Sequence, residues 1–239
     1  MSDLRVMWLA LDIGLLRDVQ GRARRGMRVI VPPAPSCIVQ VSAAAVWDGE
    51  HARFGELRLD IYDGRDGQRD PWHPTRLWAS DNAGADAWLV TFGGRWSFLP
   101  LLRQACCIAD IAFPIGVVTT DPTRGGRARS EWHFDIADAL GCSSSPWCLA
   151  GLIAACGAPE ALAEHVGRAD HRGALLRAVA TCLVHIRLLA QAGRTDGSGR
   201  AATEAALIEA LAGEDEHSGA ARQLAEVLAS RADVITSAS

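Results

Sequence analysis

Three apolar segments of strand length fall within the first 62 residues, and the chain after residue 140 is periodic at three and four residues instead. That order constrains the fold more than any other feature. Residues 5–13, RVMWLALDI, form an unbroken apolar run bounded by charge, the pattern of a strand buried on both faces. Residues 37–47, CIVQVSAAAVW, read as a second strand, and residues 54–62, FGELRLDIY, as a third, with Leu57, Leu59 and Ile61 alternating onto one side. The WDGEH turn between the last two makes the three an antiparallel meander.

The middle of the chain mixes signals. Residues 63–86 are polar and rich in Gly, Asp and Pro, so mostly loop is expected, with a short helix near 75–80. AWLVTF at 87–92 is a fourth buried strand. SFLPLLRQACCIA at 97–109 is a helix with Pro100 near its start, where proline is tolerated. TDPTRGGRARS at 120–130 is a loop, and EWHFDIADAL at 131–140 is a strand entering a short helix. SPWCLAGLIAACG, APEALAEHV and RGALLRAVATCLVHIRLLAQAG follow as helices. The last places Leu175, Leu176, Val179, Leu183, Ile186 and Leu189 on one face. GRTDGSGR reads as a flexible connection. Two amphipathic segments, at about 202–212 and 219–231, close the chain. The expected class is α/β or α+β: a mixed sheet with antiparallel first three strands, flanking helices and a helical tail. The expected division is a domain over 1–192 and a helical extension over 193–239, packed on that domain or on a second copy.

Composition narrows the function classes. No uninterrupted apolar run reaches the roughly 18 residues of a membrane span. The N-terminus makes a poor signal peptide, so the cytoplasm is expected. The seven cysteines form no Cys-x-x-Cys pair, which argues against structural zinc and fits a reducing compartment. All 24 basic residues are arginine and the net charge is −4, so any nucleic-acid contact is made by guanidinium groups in local patches.

Four local patterns, in this order, resemble the motifs of DnaQ-like 3′–5′ exonucleases, in the branch related to the proofreading domain of B-family DNA polymerases. Leu9-Ala-Leu-Asp12-Ile-Gly14 resembles the first motif, an apolar strand ending in Asp-x-Glu. Val31-Pro-Pro with Ile38-Val-Gln-Val-Ser42 resembles the second strand and its approach. Leu89-Val-Thr-Phe-Gly-Gly-Arg95 with Leu99-Pro-Leu-Leu102 resembles the second motif. His133-Phe-Asp135-Ile-Ala-Asp138 resembles the segment after it. The resemblance covers roughly residues 5–190 and implies a ribonuclease H-like fold.

That family's chemistry needs carboxylates. They hold two divalent ions about 4 Å apart, one generating the attacking hydroxide and one stabilising the leaving oxygen. Magnesium is bound through oxygen, so the ligands must be Asp or Glu. Here Asp12 is kept, but Gly14 stands at the glutamate position of the first motif, and Gly93 and Phe98 stand at the asparagine and aspartate positions of the second. The third motif aligns Gly173 with its tyrosine and Arg177 with its aspartate.

The resemblance therefore implies a catalytically degenerate exonuclease-like protein, a nucleic-acid-binding or protein-binding module of replication, repair or a mobile element. No cofactor is expected of it. The alternatives are an active nuclease using Asp12, Asp135 and Asp138 with Mg²⁺ or Mn²⁺, and a structural assembly subunit. Arg95, Trp96, Arg124 and Arg127 are the candidate contacts to single-stranded nucleic acid, Trp96 by stacking. The bland readings stand beside these: Asp12 as a strand-end acid, His133 as a satisfied core or edge histidine, Gly93-Gly94 as a tight turn needing positive φ, and the arginine loops as solvated surface. If Arg177 lies beside the end of the first strand, it pairs with Asp12 and plugs the old metal site. Otherwise it faces solvent on an outer helix surface.

Overall fold

The computed structural model describes residues 4–12, 34–48, 51–64, 70–85, 87–95, 98–113, 133–143, 145–155, 170–213 and 218–237. Among them lie five strands, β1 (Leu4–Asp12), β2 (Cys37–Asp48), β3 (His51–Asp63), β4 (Ala87–Thr91) and β5 (His133–Asp135). Seven helices accompany them: α1 (His73–Asp81), α2 (Phe98–Ile108), α3 (Ile136–Leu140), α4 (Pro146–Ala155), α5 (His171–Gln191), α6 (Gly197–Ala212) and α7 (Ser218–Ser237). The chain is mixed α/β. Its one described sheet runs in the order β3-β2-β1-β4-β5. β1, β2 and β3 are antiparallel neighbours, while β4 pairs parallel with β1 and β5 parallel with β4.

The central position of β1 explains its unbroken apolar run. Successive side chains leave a strand on opposite faces, and both faces of β1 are covered. Val6, Trp8 and Ala10 join the cluster formed with α4, α5, α6 and α7. Met7, Leu9 and Leu11 join a second cluster with Trp78 of α1 and Leu99, Leu102 and Cys106 of α2. The molecule is thus three layers, helix on sheet on helix. Full burial of side chains such as Met7, Leu9 and Ile38 contributes about 1.5–3 kcal/mol each. A bulge between Ala43 and Ala45 shifts the β2–β3 register and adds local twist.

Helix starts follow their capping residues. Asp135, Asp170 and Asp196 are the N-caps of α3, α5 and α6, each accepting a backbone N–H in the first turn. Gly141, at φ 62°, ends α3 in the left-handed conformation that suits glycine. Residues 197–200, expected to be flexible, belong to α6. Asp196 outweighs the helix-weakening glycines by accepting the N–H of Gly199 and the hydroxyl of Ser198. The polar stretch 63–86 holds a full helix, α1, with a proline in its first turn. The segment APEALAEHV lies outside the described residues.

α5 is long and apolar enough to cross a membrane by length and composition, though 72% of its most apolar window is buried inside the protein. It packs on β1, β2 and β4 and against α4 and α6. Most of its surface meets protein, so it carries apolar residues on nearly every side. Leu207 and Leu211 of α6 and Leu224 of α7 are buried in the same cluster as α5, so the last two helices share the core of the sheet.

Candidate functional site at the ends of the first and fourth strands

β1 ends at Asp12, whose backbone stands opposite Cys37 at the start of β2, and Cys37 stands opposite Asp63 at the end of β3. The three positions form a row across one end of the sheet, neighbouring strands being about 4.8 Å apart. α5 begins at this end. Its N-cap Asp170 accepts the N–H of Gly173 at 2.8 Å. His171 Nε2 lies 2.7 Å from Asp63 Oδ2, so the Asp63 carboxylate sits at the helix N-terminus, where the peptide dipoles favour negative charge.

Further along α5, Arg177 turns to the sheet. Its Nη2 donates to the carbonyl oxygen of Leu11 at 2.8 Å, and the residue is half-buried. The guanidinium therefore lies at the end of β1, one residue before Asp12, and not on an outer solvent face. The side chain of Asp12 lies outside the described residues, and so does the expected Asp12–Arg177 pair. Gly14 also lies outside them. Gly173 is buried in the first turn of α5.

The second strand end belongs to β4. Thr91 closes it, and Gly93 follows at φ 68°, the tight turn that glycine suits. Asp135, at the end of β5 and 6% exposed, reaches into this turn. Its Oδ1 accepts the N–H of Gly93 at 2.8 Å and of Ala137 at 3.0 Å. Its Oδ2 accepts the N–H of Arg95 at 2.8 Å and the hydroxyl of Thr91 at 3.2 Å. A carboxylate has about four acceptor positions, and four protein donors occupy them. Asp135 is thus a clamp between the β4–α2 turn and the β5–α3 junction. The N–H groups of Gly93 and Arg95 in that turn are thus taken by the protein's own acid.

Neighbouring side chains are similarly engaged. Asp138 Oδ2 receives Arg95 Nη1 at 3.1 Å, both partly exposed. His133 Nε2 lies 2.8 Å from Thr91 Oγ1. The threonine hydroxyl already donates to Asp135, so Nε2 of the ring carries the proton and donates to Thr91. Burial pushes the imidazole down to about 4, with Asp135 pulling it back. His133 is thus a neutral, satisfied histidine at ordinary pH. Phe98 opens α2, but its side chain is outside the described residues, as are Trp96, Arg124 and Arg127.

Among the described residues no group of three or more His, Cys, Asp or Glu side chains is placed to hold a metal ion. Sequence reading missed three long-range pairs. Asp63 with His171 brackets the β1 end. Thr91 holds His133. Trp8 Nε1–H donates to Nδ1 of the buried His185 at 3.1 Å. Only Asp135 carried a local signal, an acid followed at once by a short helical pattern. No family model, curated protein or solved structure matches this chain significantly.

Proposed function

We propose that this protein is a catalytically degenerate 3′–5′ exonuclease-like protein, retained as a binding module for nucleic acid or protein. The sheet order, antiparallel over its first three strands and parallel over the last two pairings, supports a ribonuclease H-like reading of the motifs. The observation that carries the functional part is the Arg177 guanidinium on the Leu11 carbonyl. In a working two-metal site the end of the first strand offers carboxylates to divalent ions. Here a fixed cation occupies the approach. A unit charge and a divalent ion about 4 Å apart repel by roughly 8 kcal/mol at an effective dielectric of about 20. Asp135 and Asp138, the acids an alternative site would need, are engaged by protein donors.

The test is incubation of labelled single-stranded DNA and RNA with the purified chain and Mg²⁺ or Mn²⁺. No shortening above background is expected. Metal-dependent degradation that disappears in Asp12→Ala would establish an active nuclease instead. A band shift on single-stranded DNA that weakens with salt separates nucleic-acid binding from protein binding.

A further inference from the structure

A groove of about 530 Å³ runs along the outer side of the sheet between β3 and α6. One wall is β3 from Glu56 to Asp60, five consecutive residues, so both the side chains and the backbone edge of the strand line it. The other wall is α6, which presents Ala206 and Ala210 and, at its C-terminal end, Gly213. β3 is the last strand of the sheet, and no strand among the described residues pairs with its outer edge. An unpaired edge is a row of N–H and C=O groups ready to receive another strand. The small residues of α6 leave room beside it.

The charges of the groove select the occupant. Asp60 is held by Arg58 at 3.7 Å and lies 4.0 Å from Arg5. Glu56 and Glu209 are exposed and have no ion-pair partner among the described residues. The rim is therefore acidic.

We propose that this groove is a docking site for an extended basic segment of another protein, which adds as a strand to β3. Backbone hydrogen bonds to the edge supply affinity. Small or β-branched side chains face Ala206 and Ala210, with Glu209 beside them on α6, and the alternate Arg or Lys side chains on the other face of the added strand meet Glu56. The groove lies on β3 and α6, away from the end of β1, and the proposal holds whether or not the chain cuts nucleic acid.

The experiment uses the full chain and fluorescence anisotropy with three labelled heptapeptides: alternating Val and Arg, alternating Val and Glu, and the Val–Arg peptide with the backbone nitrogens that face β3 methylated. Saturable binding of the Val–Arg peptide is expected. It should weaken about tenfold with Glu56→Lys combined with Glu209→Lys, both exposed positions whose change spares the core. The methylated peptide should bind at least as weakly, and the Val–Glu peptide should prefer the double variant. Absence of saturable binding overturns the proposal. So does binding unaffected by the double variant, or equal binding of the methylated peptide, which would reduce it to loose charge attraction. A dimer in light scattering that Ala210→Arg dissolves overturns it in favour of a second copy.

Discussion

Asp135 shows how an acid at a motif position can be turned wholly inward. Three backbone N–H groups and one hydroxyl share its two oxygens, so its removal leaves buried donors without partners. Asp135→Ala should cost about 2–4 kcal/mol in urea unfolding. An unchanged or raised midpoint would instead mark a metal ligand, whose removal relieves charge repulsion. His185 offers a second check at this scale. It is 1% exposed, packed among Trp8, Trp88 and Phe134, and burial pushes it down to about 4. Its folded value lies below the unfolded one, near 6.5, so the unfolded chain binds the extra proton in that window. Stability is therefore intact above pH 6.5 and falls as pH drops towards 4, by about 2–3 kcal/mol at pH 4.5 from this residue. His185→Gln keeps an acceptor for Trp8. Its loss of stability between pH 7 and pH 4.5 should be smaller than the wild type's by that amount. Equal losses would show that His185 is protonated in the fold. The role of His185 was not legible in the sequence: Trp8 and His185 are 177 positions apart, and no local pattern announces such a pair.

At the scale of elements, legibility followed burial. β1, β2 and β3 could be read because each has apolar residues on a defined set of faces, and their antiparallel order followed from the short turn between β2 and β3. The placement of β4 beside β1, parallel, depends on packing over long connections and left no local trace. The start of α6 was misread because its glycines argue for a loop, while the decisive residue is the single cap Asp196. Asp196→Ala should destabilise by about 1 kcal/mol. The last two helices contribute to the sheet's own core through Leu207, Leu211 and Leu224, so Leu207→Ala should cost about 2–5 kcal/mol. A chain ending at Gly193 should lose its cooperative thermal transition. A sharp transition in that truncated chain, by circular dichroism, would show that residues 1–193 fold alone and that α6 and α7 are an appendage.

At the scale of the whole molecule, one end of the sheet gathers motif positions, Asp12 at the tip of β1, Arg177 on Leu11 and Asp135 in the turn after β4, beside the Asp63–His171 pair, which no motif contains. The sequence pattern indicated Asp12 and Arg177 as one locus. It did not indicate Asp63, which comes from the far end of a meander strand, or the internal use of Asp135. The proposal of binding without metal-dependent cleavage rests on that end, with a guanidinium on the strand carbonyl and the neighbouring acids engaged. Manganese binding followed by electron paramagnetic resonance tests this most directly, because bound ions lose the sharp six-line spectrum of the free ion and paired ions couple. Titration of micromolar protein with Mn²⁺ should leave the free-ion signal essentially unattenuated, for wild type and Asp12→Ala alike. Uptake of two coupled ions per chain, abolished by Asp12→Ala, would contradict it.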